Sequence, residues 1–252
     1  MTGTLLNIRN LSAWYQKEHP VLTELSMELE EHEITGLIGL NGAGKTTLLK
    51  ILSGLHGEFC QEKALFRGHS VNFRDDGFKR SRYTVFAEDH SFGYFTFWEY
   101  LSYVSAAYRK RLKDAEVRAL VEGFHFEAYA DVLLGELSTG NQKKAFLITA
   151  FALGPELLLM DEPANGLDFQ STEFLYQQIA GYGKRGAVLF TSHILESITL
   201  TADRVLVLEG GQIRREFGKE EMDASRIRKA LGGGAVSREE TGGSFYQAWE
   251  EA

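Results

Sequence analysis

At 252 residues with 44 % hydrophobic side chains, the chain has enough apolar surface for one large buried core or two small ones. Its formal net charge of −8 argues against a polyanion as main partner, since nonspecific nucleic-acid binding draws on lysine and arginine to release counterions, and no nucleic acid is expected. A single cysteine, Cys60, can neither close an intramolecular disulfide nor assemble a metal cluster alone, which points to a reducing compartment, and no window reaches the ~20 apolar residues of a membrane span.

In chain order, LLNIRNLSAWY and LTELSMELEE alternate partly between apolar and polar residues, as half-exposed antiparallel strands do. EITGLIGL then runs into a glycine-rich loop, GLIGLNGAGKTT at 36–47, with helical sequence after it. YTVFAE from Tyr83, ELLLMDEP from Glu156, AVLFTSH from Ala187 and RVLVLEG from Arg204 are short apolar runs followed by polar or helical sequence, which predicts buried strands of a largely parallel sheet. Between about Phe95 and Leu134 the strand signal fades, and Phe97, Leu101, Val104 and Tyr108 recur every three or four residues. This predicts a helical insertion over about 95–135. The glycines at 232–234 read as a flexible joint, and SFYQAWEEA as a short amphipathic helix closing a tail over 232–252.

The loop matches the phosphate-binding pattern, with Gly39, four residues, then Gly44, Lys45 and Thr46, and it has the strand before and helix after that the pattern requires. Glycines let the peptide N–H groups from Gly39 through Asn41, Gly42, Ala43 and Gly44 to Thr47 turn toward phosphate oxygens, where the helix dipole adds positive potential. Lys45 supplies a point charge to the outer phosphates, and Thr46 can ligate Mg²⁺. A dinucleotide fingerprint is excluded because no register of the segment reads G-x-G-x-x-G. Downstream, LLLMDEP brings two carboxylates to a strand end. Asp161 is suited to hold Mg²⁺ through water, and Glu162 to orient or deprotonate the water that attacks a γ-phosphate.

With both halves in place, the chain resembles the nucleotide-binding subunit of an ATP-binding cassette (ABC) transporter over about residues 5 to 231. LSTGN at 137–141 resembles the family's LSGGQ signature loop, ANGLD at 164–168 its D-loop, TSH ending at His193 its switch histidine, and Tyr15 its adenine-stacking aromatic. Taken singly, the serine reads as a helix N-cap, the histidine as a strand-end side chain and the tyrosine as an ordinary aromatic. Together, in the family's order, they are specific. The resemblance implies an α/β P-loop NTPase fold with a mixed, mostly parallel sheet, an N-terminal antiparallel β subdomain and an inserted α-helical subdomain. It also implies ATP and Mg²⁺ as cofactors and a second nucleotide-binding subunit, a homodimer, paired head to tail. Ser138 and the backbone at Gly140 of one copy would then reach the ATP of the other, with Asp168 linking the two sites and His193 touching the γ-phosphate. A separate transmembrane permease and a cytoplasmic position on the inner face of the membrane complete the expectation. The alternative from another class is a soluble ABC-type ATPase serving cofactor assembly, ribosomes or nucleic acid.

Three features depart from the pattern or tempt a further reading. The family places a glutamine where this chain has Glu88, with Asp89 as the alternate position, and Glu88 is expected to serve the metal. Thr139 and Asn141 replace a glycine and a glutamine of the signature, which together with the lack of an appended domain leans toward export-type cassettes. The aromatics from Phe92 to Tyr108 read mainly as the insertion's own core, with a socket for a permease helix near Trp98 as the other reading. RKRLK at 109–113 reads as the solvated end of a helix.

Overall fold

The computed structural model describes residues 3–193 and 195–231. The joint at 232–234 and the tail helix lie outside the described residues.

An antiparallel sheet opens the chain. Strand β1 (Thr4–Gln16) pairs with β2 (His19–Glu30), and on its other side with β4 (Phe59–Cys60) and β5 (Lys63–Phe66), the latter continuing to β6 (His69–Ser70). Strand β3 (Ile34–Ile38) belongs to a second sheet ordered β11-β10-β3-β9-β8-β7, built with β7 (Arg82–Val85), β8 (Leu157–Met160), β9 (Ala187–Thr191), β10 (Arg204–Glu209) and β11 (Gln212–Gly218). All its pairings are parallel except the closing β10–β11 hairpin. The five apolar runs therefore form this sheet.

These runs lack alternation because both faces of the sheet are covered, so every side chain of β3, β8 and β9 is buried. In β8, Leu157 and Leu159 face one core while Leu158 and Met160 face the other; Ala187 and Leu189 divide from Val188 and Phe190 in the same way. The first core also holds Leu48, Leu49, Ile51 and Leu52 of α1 (Lys45–Leu52), which lies between the two sheets.

The other core carries the helices that follow β7, whereas Phe78 of the short helix before β7 packs in the first core. A short α2 (Asp76–Ser81) precedes β7, and α3 (Phe97–Ala107) starts at a reciprocal cap: Thr96 accepts from the Glu99 amide, and Glu99 from the Thr96 amide. Next come α4 (Asp114–Gly123) and α5 (Thr139–Leu153), the latter buried on every face from Gln142 to Phe151, its two lysines included. α6 (Phe169–Tyr182), α7 (Leu195–Thr201) and α8 (Ala224–Ala230) follow. The aromatics at 92–108 divide between roles: Phe97 and Tyr100 are buried, with the Tyr100 and Tyr83 hydroxyls 2.5 Å apart, whereas Phe92, Tyr94 and Tyr103 are exposed.

Strand order positions the chemistry. β9 lies between β3 and β8, so the residues just past the C-terminal ends of these three parallel strands converge on one edge, the usual ligand-binding edge of an open α/β sheet.

Candidate functional site

The glycine-rich loop leaves the end of β3 and enters α1 at Lys45. Gly44 turns it at φ +110°, and a β-carbon there would stand 2.5 Å from Leu22 Cδ2, so both conformation and space require glycine. Lys45 folds back over the loop, its Nζ donating to the Gly39 carbonyl at 2.7 Å, and Asn41 and Gly42 are exposed. Thr46 and Thr47 point different ways. The Thr46 hydroxyl donates to Asp161 Oδ2 at 2.7 Å, while the buried Thr47 hydroxyl lies 3.5 Å from the Tyr15 phenol oxygen. The Thr47 hydroxyl is thus turned away from Asp161. Tyr15 remains 58 % exposed, its ring edge-on to His56 at 4.8 Å between centroids, and His56 Nε2 donates to the Trp14 carbonyl at 2.9 Å.

Across the edge stand the carboxylates. Met160 pairs with Phe190, so the next residues on each strand, Asp161 and Thr191, are neighbours. Asp161 is buried. Its Oδ1 accepts from the Thr191 hydroxyl at 2.8 Å and its Oδ2 from Thr46, which ties the glycine loop to two strands. Glu162 adopts φ +47°, where the β-carbon of an L-residue crowds the following carbonyl at a cost of about 1–2 kcal/mol. Hydrogen bonds hold it there: its N–H donates to Thr191 Oγ1 at 2.8 Å, and its carbonyl accepts from Asn165 N at 3.1 Å and Lys143 Nζ at 3.2 Å. Its carboxylate accepts from His193 Nδ1 at 2.9 Å, so the expected base and the expected switch histidine are in contact.

The donor set fits magnesium. Thr46 and Asp161 present a hydroxyl and a carboxylate, both hard oxygen donors, and Mg²⁺ ordinarily takes one or two protein ligands beside water and phosphate. Among the described residues no cluster of three or more His, Cys, Asp or Glu side chains could hold a metal ion. Glu88, exposed just past β7, contributes its charge at Lys143, whereas the neighbouring Asp89 accepts from Ser91 N and acts on the Tyr83 and Tyr100 phenols, which burial chiefly pushes up. Of the two candidate positions, Glu88 is the one whose charge is felt at Lys143.

The signature loop lies at the start of α5. Ser138 caps that helix, its hydroxyl accepting from Asn141 N at 3.3 Å, and its first turn carries no acid to oppose an anion. Gly140 is buried against the ANGLD loop: a β-carbon there would lie 2.1 Å from the Gly166 carbonyl oxygen. The carboxylate of Asp168, expected to join two sites across a dimer, is engaged inside its own chain. It caps α6 by accepting from Ser171 N at 2.9 Å and pairs with Lys144 at 2.6 Å. Partial burial works against that carboxylate, but the Lys144 and Ser171 hydrogen bonds win and hold it well below the usual range.

Two residues belong to this network that motif reading passes over, Lys143 and Lys144, and a third, Thr191, enters it only as the first residue of TSH. The sequence does carry a trace of the lysines, since QKK sits inside an apolar helix where a lysine at 6 % or 4 % exposure needs a partner. The TSH stretch draws notice to its histidine, whereas Thr191 by itself is an ordinary strand-end threonine.

A family model described as ABC transporter matches residues 22–165, more than half of the chain. The chain belongs to the ABC transporter family. This ABC ATP-binding protein is 34 % identical over 219 residues to AlbC of Bacillus subtilis (strain 168), covering 84 % of this chain and 91 % of AlbC. It is 31 % identical to the ABC-type transporter ATP-binding protein EcsA of the same organism, covering 84 % and 86 %, and 29 % identical to its SkfA peptide export ATP-binding protein SkfE, covering 84 % and 89 %. Among solved structures, an ATP-binding subunit of an ABC transporter superposes with TM-score 0.78 at 26 % identity, covering 92 % of this chain and 96 % of that one. A bacterial Atm1-family ABC exporter with ATP bound, TM-score 0.76 at 18 % identity over 94 % of this chain and 43 % of that one, shares the fold. The P-loop ABC ATPase fold and ATP hydrolysis follow from this membership.

Proposed function

We propose that this ABC ATPase, over residues 1–231, is the cytoplasmic energy-coupling subunit of a membrane transporter. ATP draws two copies together head to tail, and its hydrolysis lets them part, which moves substrate through a separate permease on the inner face of the membrane. The observation that carries the ATP chemistry of this reading is the junction at Asp161, which accepts from the loop's Thr46 on one oxygen and from Thr191 on the other, with Glu162 held beside it by the same threonine, and the likeness to transporter ATP-binding proteins supports the coupling to a permease.

Each group has a defined task. The loop amides from Gly39 to Thr47 and the Lys45 ammonium hold the triphosphate, and Tyr15, braced by His56, stacks on adenine. Thr46 and Asp161 would hold Mg²⁺, with Glu88 near them, and bound there the ion neutralises phosphate charge. Glu162 takes the proton of the attacking water, and His193, already on the Glu162 carboxylate, keeps it aimed and meets the γ-phosphate. Exposed Ser138 and the amide at Gly140 supply donors to the partner copy's phosphate, while Asp168 fixes the loop behind them. The permease socket draws on the exposed aromatics Phe92, Tyr94 and Tyr103 and on half-buried Trp98 of α3.

Lys45→Ala is expected to lower ATPase activity at least a hundredfold with ATP affinity reduced, and Glu162→Gln to retain ATP, lose turnover to a similar extent, and elute as a dimer when ATP is present. Turnover by Glu162→Gln at the parent rate would remove Glu162 as base. Pull-down from solubilised membranes should bring a multispan protein with the chain; a purely soluble complex would displace the transporter assignment.

A further inference from the structure

Lys143 has no place in the motifs from which the site is read, yet its ammonium lies within it. The residue is 6 % exposed, and its Nζ donates to the Glu162 carbonyl at 3.2 Å. Burial lowers its proton affinity, and the charges of Asp161, Glu162 and Glu88, in that order, resist the loss and favour the ammonium. These are the three carboxylates at the expected position of a triphosphate. Uncompensated, they would repel both one another and the substrate.

The partner it grips is also informative. Glu162 is held in the left-handed region, a conformation that persists only where surrounding contacts over-determine it. Thr191 secures the amide of that residue and Asn165 and Lys143 its carbonyl, and the direction of the carboxylate toward His193 follows from the turn. Among these contacts, Lys143 alone adds a charge, and it does so from α5, the helix that begins at Ser138. A lysine enclosed in a helix core is costly unless its head group has work to do.

We propose that Lys143 is a positioning residue for ATP hydrolysis: it anchors the Glu162 turn and supplies the positive charge that allows Asp161, Glu162 and Glu88 to stand together beside a triphosphate. This rests on the reading of Glu162 as the base. Lys143→Met removes both donor and charge at similar length, and Lys143→Gln keeps a donor without the charge; each is made in the full chain with Glu88 present and with Glu88→Gln.

Lys143→Met is expected to lower kcat at least tenfold with ATP affinity, measured by calorimetry, within twofold of the parent. Its crystal structure should show Glu162 leaving positive φ and losing His193. Lys143→Gln should be impaired at least fivefold beside Glu88 and return to within threefold of the parent in the Glu88→Gln background. The proposal falls if Lys143→Met turns over within twofold of the parent, if its Glu162 turn is unchanged, or if Lys143→Gln is impaired equally in both backgrounds. It falls also if kcat, ATP affinity and melting temperature decline together, which marks a structural lysine. A Glu162→Gln control separates the two claims: parent-like turnover there removes the base assignment itself, whereas its loss with an unaffected Lys143→Met removes only the role of Lys143.

Discussion

The hydroxyl of Thr191 donates its one proton to Asp161 Oδ1 and accepts the Glu162 amide, both at 2.8 Å. Valine has the same shape without that chemistry, so Thr191→Val leaves a buried carboxylate oxygen and an amide without their partner, at about 1–3 kcal/mol for each. The expected outcome is a lower urea midpoint together with at least a tenfold fall in kcat, while Thr191→Ser, which keeps the hydroxyl, stays within threefold of the parent. At this scale the loop residues Gly39 to Thr47 were legible, since a phosphate loop needs its glycines, lysine and threonine at fixed local spacing. The same holds for Asp161 and Glu162 at the end of an apolar run. The roles of Thr191 and Lys143 were not, because each acts on a residue of another element: TSH marks its histidine, and QKK marks a buried lysine without naming its partner.

Among elements, α5 connects most of the site. Ser138 and Gly140 stand at its start, Lys143 reaches Glu162, and Lys144 reaches Asp168 at the head of α6. The Asp168 carboxyl is held below its ordinary value, so its contribution to stability is full above the unfolded pKa of about 4 and diminishes as pH falls from there through the folded value. The melting-temperature advantage of the parent over Asp168→Asn should therefore be largest near pH 6 and shrink by pH 3; an advantage independent of pH would contradict the carboxylate's role. The exposure of the side chain, 53 %, keeps the effect modest. The apolar runs could be read as strands because a doubly covered parallel sheet demands them. The short α2 and β4 to β6 could not, since two to six residues carry no period and owe their form to packing around Phe73 and Phe78.

For the whole molecule, α1 is the element that makes the antiparallel and parallel sheets one body. Leu49 is fully buried between them, and Leu49→Ala should cost about 2–5 kcal/mol, seen as a lower urea midpoint with an unchanged slope if the two sheets unfold together. Two separate transitions would show that the sheets are independent units. By itself the sequence determined the inventory of this protein: the phosphate loop, the paired carboxylates, the order of its motifs and the apolar runs, all properties of neighbouring residues. Only the tertiary structure decided which of these meet, because Thr46 and Asp161 lie 115 residues apart and are joined by the parallel order β3-β9-β8. The same order inserts Thr191 between them and brings α5 across the site, so that a buried lysine meets the Glu162 carbonyl and Asp168 is engaged within its own chain.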